Sequence, residues 1–145
     1  MNNDSLTLAD FPLHSYDKVR YGDTDKQGHV NNAVFSTYLE TGRVDFLCHP
    51  DNNLLSDKTS FVIASLNLKL LAEIHWPGLV DIGTRVVRVG NSSFGLEQGL
   101  FQEGRWVASA ETVIVQVDNA TSRSAPLSDE AKTHLQSLIA QGAAE

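Results

Sequence analysis

The chain has 145 residues, of which 41% are hydrophobic and 20% are charged, and its formal net charge is -7 at pH 7. This length and composition predict one folded domain with a substantial core, and they exclude a wholly disordered chain. The negative charge, with no Lys/Arg cluster to offset it, argues against nucleic acid and an anionic membrane as partners. We therefore expect a small-molecule or protein partner.

Cys48 is the only cysteine, which excludes an internal disulfide and a multi-thiolate metal site and fits a reducing compartment. It follows an apolar helix face, so a buried, inert thiol is expected. The first ten residues lack the basic start and apolar middle of a signal peptide, and no apolar run is long enough to span a bilayer. These features predict a cytoplasmic location.

The first third of the chain predicts a strand, a loop and a helix. Residues 1–11 are polar and unpatterned, so a loose terminus is expected before a short strand over 13–21. Asn31 or Asn32 can cap a helix that begins near Asn32. The helix has one apolar or small face, made by Phe35, Tyr38, Leu39, Gly42, Phe46 and Leu47. A glycine on that face costs helix propensity, so Gly42 predicts close approach of another element.

The rest of the chain predicts four strands and a second helix. The strands are expected over 61–76, 79–89, 94–102 and 106–117, and the turns between them predict an antiparallel meander. The first of these strands has apolar or small residues at every even position, namely Val62, Ala64, Leu66, Leu68, Leu70, Ala72, Ile74 and Trp76. A second helix is expected over 127–140, with Ser128 as N-cap and Gly142 beyond its end. The pattern predicts an α+β domain in which the sheet wraps the first helix.

The junction between the first strand and the first helix concentrates reactive side chains. Asp23, Asp25 and Gly28 fall at calcium-loop positions, but the twelfth position is Val34 rather than a bidentate acid. His29 has no neighbouring histidine at zinc-ligand spacing, and no Gly-x-Ser-x-Gly elbow exists for a serine nucleophile. This leaves carboxylate chemistry, with Asp25 just ahead of the unpaired N-H groups of a helix start, which could polarise a carbonyl oxygen.

An alternative is that this junction has only a structural role. Asp23 and Asp25 would then be turn formers, and Asn31 and Asn32 would serve only to cap the helix.

A longer motif favours the catalytic interpretation. The string Arg20-Tyr-Gly-Asp-Thr-Asp25-x-x-Gly-His29-Val-Asn-Asn32, with Phe35, Tyr38, Glu40 and Arg43 after it, resembles the signature of hotdog-fold thioesterases of the 4-hydroxybenzoyl-CoA thioesterase-like group. The resemblance implies a single hotdog domain over 1–145, in which a five-stranded antiparallel sheet wraps one long helix and a C-terminal helix follows. It also implies hydrolysis of an acyl-CoA to a free acid and CoA, without a cofactor or a metal.

The resemblance assigns roles to individual residues. Asp25 matches the catalytic acid, a nucleophile or general base, and the backbone N-H near Asn32 would polarise the thioester carbonyl. The motif also resembles that of plant acyl-carrier-protein thioesterases, whose acid, amide and histidine match Asp25, Gln27 and His29. Gln27 stands where those enzymes have asparagine, and the 4-hydroxybenzoyl-CoA enzymes have no histidine at the position of His29. The substrate-binding residues implied are Gly28, Val30, Asn31, Asn91, Ser92, Ser93 and Phe94, with Arg85, Arg88, Arg105 and Arg123 as candidate phosphate contacts.

The resemblance further implies a homodimer or homotetramer with each active site at a subunit boundary. Three other functions stay open at this point. They are hydrolysis of acyl-acyl-carrier protein, binding of an acyl thioester without turnover, and dehydration, although a dehydratase would be expected to place its carboxylate on the helix rather than ahead of it. Acyl chain length and aromatic preference are not indicated by the sequence.

Overall fold

The computed structural model describes residues 6–49 and 54–139, which form one sheet and two α-helices. Two short 3-10 helices, Leu8–Asp10 and Tyr21–Asp23, lie before the first α-helix. The other elements, in chain order, are β1 (Leu13–Lys18), α1 (Asn32–Leu47), β2 (Thr59–Leu70), β3 (Leu79–Val89), β4 (Ser93–Gln102), β5 (Arg105–Asp118) and α2 (Asp129–Ser137). The predicted α+β class, with a five-stranded antiparallel sheet and a C-terminal helix, is confirmed.

Helix α1 lies against the sheet with the predicted face, except that Arg43 is also buried and Leu47 is only half-buried. Asn31 is its N-cap, and its side chain accepts a hydrogen bond from the Ala33 N-H. The residues of α1 that are buried are Phe35, Tyr38, Leu39, Gly42, Arg43 and Phe46. A Cβ atom at Gly42 would lie 2.6 Å from the side chain of Ile82, which confirms the predicted close approach.

The order of strands in the sheet differs from a simple meander. The strands are arranged β1-β3-β4-β5-β2, so β2 pairs with β5 at one edge while β3 pairs with β1 near the other. Residues 71–78 therefore cross the ends of β5 and β4 instead of forming a hairpin. Along this crossing segment, Ala72 donates to the Val107 carbonyl and Gly78 accepts from the Val19 N-H. Pro77 and Gly78, which predict a turn, lie in a bend, and they do not show which strand pairs with the one beyond them.

Strand β2 corrects the prediction of one continuous strand over 61–76. It ends at Leu70 and has a β-bulge between Ile63 and Ser65, which shifts the alternation of its side chains. The eight even-numbered apolar positions therefore do not form one buried row. Only Ile74 among them is fully buried, and four are large exposed side chains, namely Val62, Leu66, Leu70 and Trp76.

Three further sequence predictions concern the two ends of the chain and Cys48. The expected loose terminus up to Phe11 is wrong at its end, because Phe11 is only 2% exposed and packs over Gly83 and Gly99 on the outer face of the sheet. Cys48 is exposed rather than buried, since it follows the last turn of α1. Ser128 caps α2 as predicted, whereas Gly142 lies outside the described residues.

The described helices include none that is long and apolar enough to cross a membrane.

Candidate active site

The loop between β1 and α1 holds the carboxylate of Asp25 in a fixed position. One oxygen of Asp25 accepts from the Gln27 N-H at 2.9 Å and lies 3.4 Å from the His29 N. The Asp25 N-H donates to the His29 carbonyl, and Gly28, with φ of +88°, allows the chain to turn between them. Backbone amides thus hold the carboxylate while its side chain stays exposed to solvent.

The start of α1 lies beside this carboxylate. Asn31 caps the Ala33 N-H, and the backbone N-H of Asn32, the first helical residue, has no acceptor within the helix. Val30 is buried and donates to the Ile74 carbonyl, so it anchors the loop to the crossing segment. The helix start therefore offers an unpaired donor and partial positive charge next to Asp25.

Asp23 makes contacts of a different kind. Its carboxylate accepts hydrogen bonds from the Tyr38 hydroxyl at 2.8 Å and from the Arg20 N-H at 2.9 Å, and its carbonyl accepts from the Asn31 N-H. All three bonds join parts of the loop to one another or to α1. This arrangement fits a structural role for Asp23.

The crossing segment contributes site residues that the sequence did not single out. His29 and His75 form an antiparallel bridge, and their rings meet edge to face with centroids 5.6 Å apart. One carboxylate oxygen of Glu73 lies 3.3 Å from Nε2 of His29 and 3.7 Å from Nε2 of His75. The available signal was that Glu73 and His75 flank the apolar Ile74, so both side chains point to the face opposite it.

These elements surround an open cleft of about 680 Å³. Its polar wall contains all four of the predicted catalytic residues together with the side chains from the crossing segment and β5. Its lining comprises Asp25, Gln27, His29, Val30, Asn32, Phe35, Leu70, Leu71, Ala72, Glu73, His75 and Arg105. An exposed carboxylate, a helix N-terminus and an apolar floor thus share one space.

The predicted residues 91–94 lie elsewhere in the chain. They lie before or at the start of β4, whereas the cleft lies near the end of that strand. Because β4 has ten residues, its two ends are about 30 Å apart. Phe94 is fully buried against Phe46 and Phe61, and Asn91 bonds to Leu127 and Lys132 at α2. A single chain does not bring these residues to Asp25, and their contact with a substrate stays a prediction.

The four candidate arginines also divide. Arg105 lines the cleft, and one of its guanidinium nitrogens donates to the Glu73 carbonyl at 3.3 Å. Arg85 pairs with Glu97 beneath Phe11 and is therefore already engaged. Arg88 and Arg123 are exposed and do not line the cleft. Among residues 6–49 and 54–139, no three His, Cys, Asp or Glu side chains are placed to share a metal ion.

A five-stranded antiparallel sheet around one long helix is the hotdog fold, which this chain shares with solved thioesterase structures. The structure of a thioesterase complexed with coenzyme A and Zn from Thermus thermophilus is 30% identical, has a TM-score of 0.77, and matches 89% of this chain and 95% of that one. The PA5185 protein of Pseudomonas aeruginosa has a TM-score of 0.85 at 25% identity, with 94% of this chain and 98% of that chain covered.

The sequence comparison agrees with the fold. Residues 19–135 match the thioesterase-like superfamily, so the chain belongs to this family and is a thioester hydrolase by class. The long-chain acyl-CoA thioesterase FadM of Escherichia coli K12 is 28% identical over 126 residues, which cover 84% of this chain and 96% of FadM. The acyl-CoA thioester hydrolase YbgC of Escherichia coli O6:H1 is 25% identical over 118 residues, or 79% of this chain and 85% of YbgC.

Proposed function

We propose that this protein hydrolyses the thioester bond of an acyl-CoA, with Asp25 as the reacting carboxylate. The observation that carries the proposal is that Asp25 and Asn32, the first residue of α1, line the same cleft. A thioester carbonyl placed against the helix start would be polarised while its carbon faces the carboxylate. The names of FadM and YbgC, both acyl-CoA hydrolases, favour CoA as the thiol carrier.

The chemistry needs one water molecule and no redox partner. Asp25 takes a proton from water as the oxygen attacks the carbonyl carbon, or it attacks that carbon itself and water then cleaves the anhydride. In both routes the carbon-sulfur bond breaks, the acid is released, and the thiolate of CoA leaves and takes up a proton. The N-H at the helix start stabilises the negative charge that develops on the carbonyl oxygen.

Other cleft residues have supporting roles in this proposal. Gln27 and His29 lie beside Asp25, where they can orient the water or carry the proton to the leaving thiolate. Arg105 at the cleft wall is a candidate contact for a phosphate of CoA. The backbones of Gly28, Val30 and Asn31 shape the loop under the thioester.

The functional unit proposed is a homodimer or homotetramer. Strand β2 is an edge strand, and its exposed apolar side chains lie on both of its faces. An edge of this kind needs a partner or a cover, and a second copy of β2 would supply one. Because β2 ends at the cleft, at Leu70, such a dimer would place each active site near the subunit boundary. A cytoplasmic location stays a prediction from the sequence.

Release of thiol from a panel of acyl thioesters tests the proposal. The purified protein should release CoA from at least one of a set of short, long and aromatic acyl-CoAs. Thiol release from acyl-acyl-carrier protein alone would identify acyl-carrier protein, rather than CoA, as the thiol carrier of the substrate. Absence of thiol release from every substrate of both kinds would refute the proposed hydrolysis and leave thioester binding or dehydration.

A further inference from the structure

The cleft contains an acidic side chain beside His29 that the proposed hydrolysis does not use. One oxygen of Glu73 lies 3.3 Å from Nε2 of His29, and the His29 side chain is 29% exposed. His75 lies on the other side of the same oxygen at 3.7 Å, and its ring is 85° from that of His29. One carboxylate oxygen therefore faces two imidazoles.

The backbone fixes the place of Glu73. Its carbonyl accepts from Arg105 at 3.3 Å, and the next residue, Ile74, is fully buried and accepts from the Val30 N-H at 2.8 Å. His75 is held on both sides by one side chain, since Gln102 accepts from its N-H at 2.9 Å and donates to its carbonyl at 2.8 Å. These bonds tie the crossing segment to β4, to β5 and to the loop between β1 and α1, and so fix the backbone from which the Glu73 side chain reaches His29.

We propose that Glu73 is a positioning residue for His29. This inference rests on the proposed function. A carboxylate only accepts hydrogen bonds, so it stabilises a proton on the Nε2 atom that faces it. In the neutral ring the Nδ1 atom is then the acceptor. Glu73 thereby selects the tautomer of His29 and fixes the ring, and Nδ1 is the atom that exchanges a proton with water or with the leaving thiol.

The acid in this arrangement acts through the histidine and not on the substrate. Asp25 is held by backbone amides of its own loop, so the two carboxylates have separate supports. Loss of Glu73 should therefore disturb the ring of His29 and leave Asp25 in place. The expected kinetic result is a lower kcat with little change in KM.

A double-mutant cycle on the full-length protein tests the proposal. With an acyl-CoA that the parent hydrolyses, Glu73→Gln should lower kcat by about tenfold or more, within the range that an acid-base group contributes. His29→Gln should lower it at least as much. In the His29→Gln background, Glu73→Gln should have no further effect, because the ring that it positions is gone.

One spectroscopic readout and one control variant separate positioning from a general structural effect. In ¹⁵N spectra of the neutral imidazoles, the parent should show His29 protonated on Nε2, and Glu73→Gln should mix the two tautomers. Glu130→Gln is the matched loss of an exposed acid, in the first turn of α2, and should change neither the spectrum nor kcat.

Three outcomes would overturn the proposal. They are an unchanged kcat in Glu73→Gln, an equal loss from this substitution with and without His29, and an unchanged His29 tautomer. If Asp25→Asn removes hydrolysis while Glu73→Gln does not affect it, this inference fails and the proposed function stands. If the parent hydrolyses no acyl thioester, the proposed function fails first.

Discussion

The hydroxyl group of Tyr38 donates a 2.8 Å hydrogen bond to the carboxylate of Asp23, which joins the second turn of α1 to the loop that carries the site. Burial, followed by this hydrogen bond, raises the pKa of Tyr38 above its ordinary value of 10.0. The phenol is therefore kept neutral in the folded protein at pH values where an unfolded tyrosine ionises.

This shift predicts a loss of stability at alkaline pH. Below about pH 10 both states keep the proton and the contribution of Tyr38 is fully present, whereas above it the unfolded chain releases the proton first and stability falls as pH rises. Tyr38→Phe should remove this part of the slope and cost about 1.5–3 kcal/mol at neutral pH, the range for a bond to a charged group. Urea unfolding across about pH 8 to 10.5 measures both effects.

Tyr16→Phe is the matched control, because Tyr16 is 65% exposed. It should leave the alkaline slope as in the parent. An identical slope in the parent and in Tyr38→Phe would contradict the prediction.

Replacement of Asp25 by asparagine separates chemistry from structure. The amide oxygen can still accept from the Gln27 N-H, so the loop should keep its shape, but the amide can neither attack a thioester nor take a proton. Asp25→Asn should therefore lower kcat by about a hundredfold to ten-thousandfold. Steady-state kinetics with one accepted acyl-CoA measure the loss.

Asp23→Asn provides the comparison within the same loop. Since Asp23 bonds to Tyr38 and to the Arg20 N-H, its replacement should lower the free energy of unfolding. It should lower kcat much less than Asp25→Asn does. Equal activity of Asp25→Asn and the parent would end the assignment of Asp25 as the reacting carboxylate.

Replacement of Gly42 by alanine should overpack the contact between α1 and the sheet. Alanine improves helix propensity by about 1 kcal/mol, but the added Cβ would lie 2.6 Å from the Ile82 side chain and 2.9 Å from Nε2 of Gln98. Gln98 is bonded to the Leu39 carbonyl and to Thr84, so it cannot move aside without losing those bonds. We expect a net loss of about 1–3 kcal/mol in thermal or urea unfolding, as for other overpacked cores.

Gly22→Ala is the control for this substitution, because a Cβ atom there would meet nothing within 4 Å. It should leave stability unchanged or raise it by less than about 1 kcal/mol. A Gly42→Ala protein as stable as Gly22→Ala would mean that α1 can shift away from the sheet.

A charged side chain on the exposed edge strand β2 should prevent assembly of the proposed homodimer or homotetramer. Leu66, in the middle of β2, is 39% exposed, and Leu66→Lys should convert the dimer or tetramer to monomers at micromolar concentration. Light scattering gives the mass. Val44→Lys, at an exposed apolar position on α1, should leave β2 pairing intact. A parent that is monomeric at this concentration would argue against a site shared between subunits.

The sequence predicted those parts of the fold that local pattern determines. Strand β3 has the bounds that its Val, Ile and Thr content indicated, and the Asn31 cap and the apolar face of α1 are as predicted. The bulge after Ile63 could not be predicted, because the alternation of apolar and polar residues in the sequence is the same whether or not one residue is left unpaired with the neighbouring strand.

Of the residues that line the candidate cleft, the sequence singled out those that one loop contains and missed those that the fold brings to it. Asp25, Gln27, His29 and Asn32 are consecutive enough to form a motif, and all four line the cleft. Glu73 and His75 reach it only because β2 pairs with β5 and the chain must then cross back to β3. That crossing exists because β2 pairs with β5 rather than with β3. The periodicity of residues along one strand does not determine which other strand it pairs with.

The same crossing has a consequence for folding. The bond from Val30 to the Ile74 carbonyl joins segments on either side of α1 and β2, so the cleft closes only after a long loop has closed. Contacts between residues distant in sequence form slowly compared with a helix. Hydrolysis regained during refolding should therefore lag behind the helical signal and report the completed sheet, which makes turnover a sensitive assay of tertiary assembly in this chain.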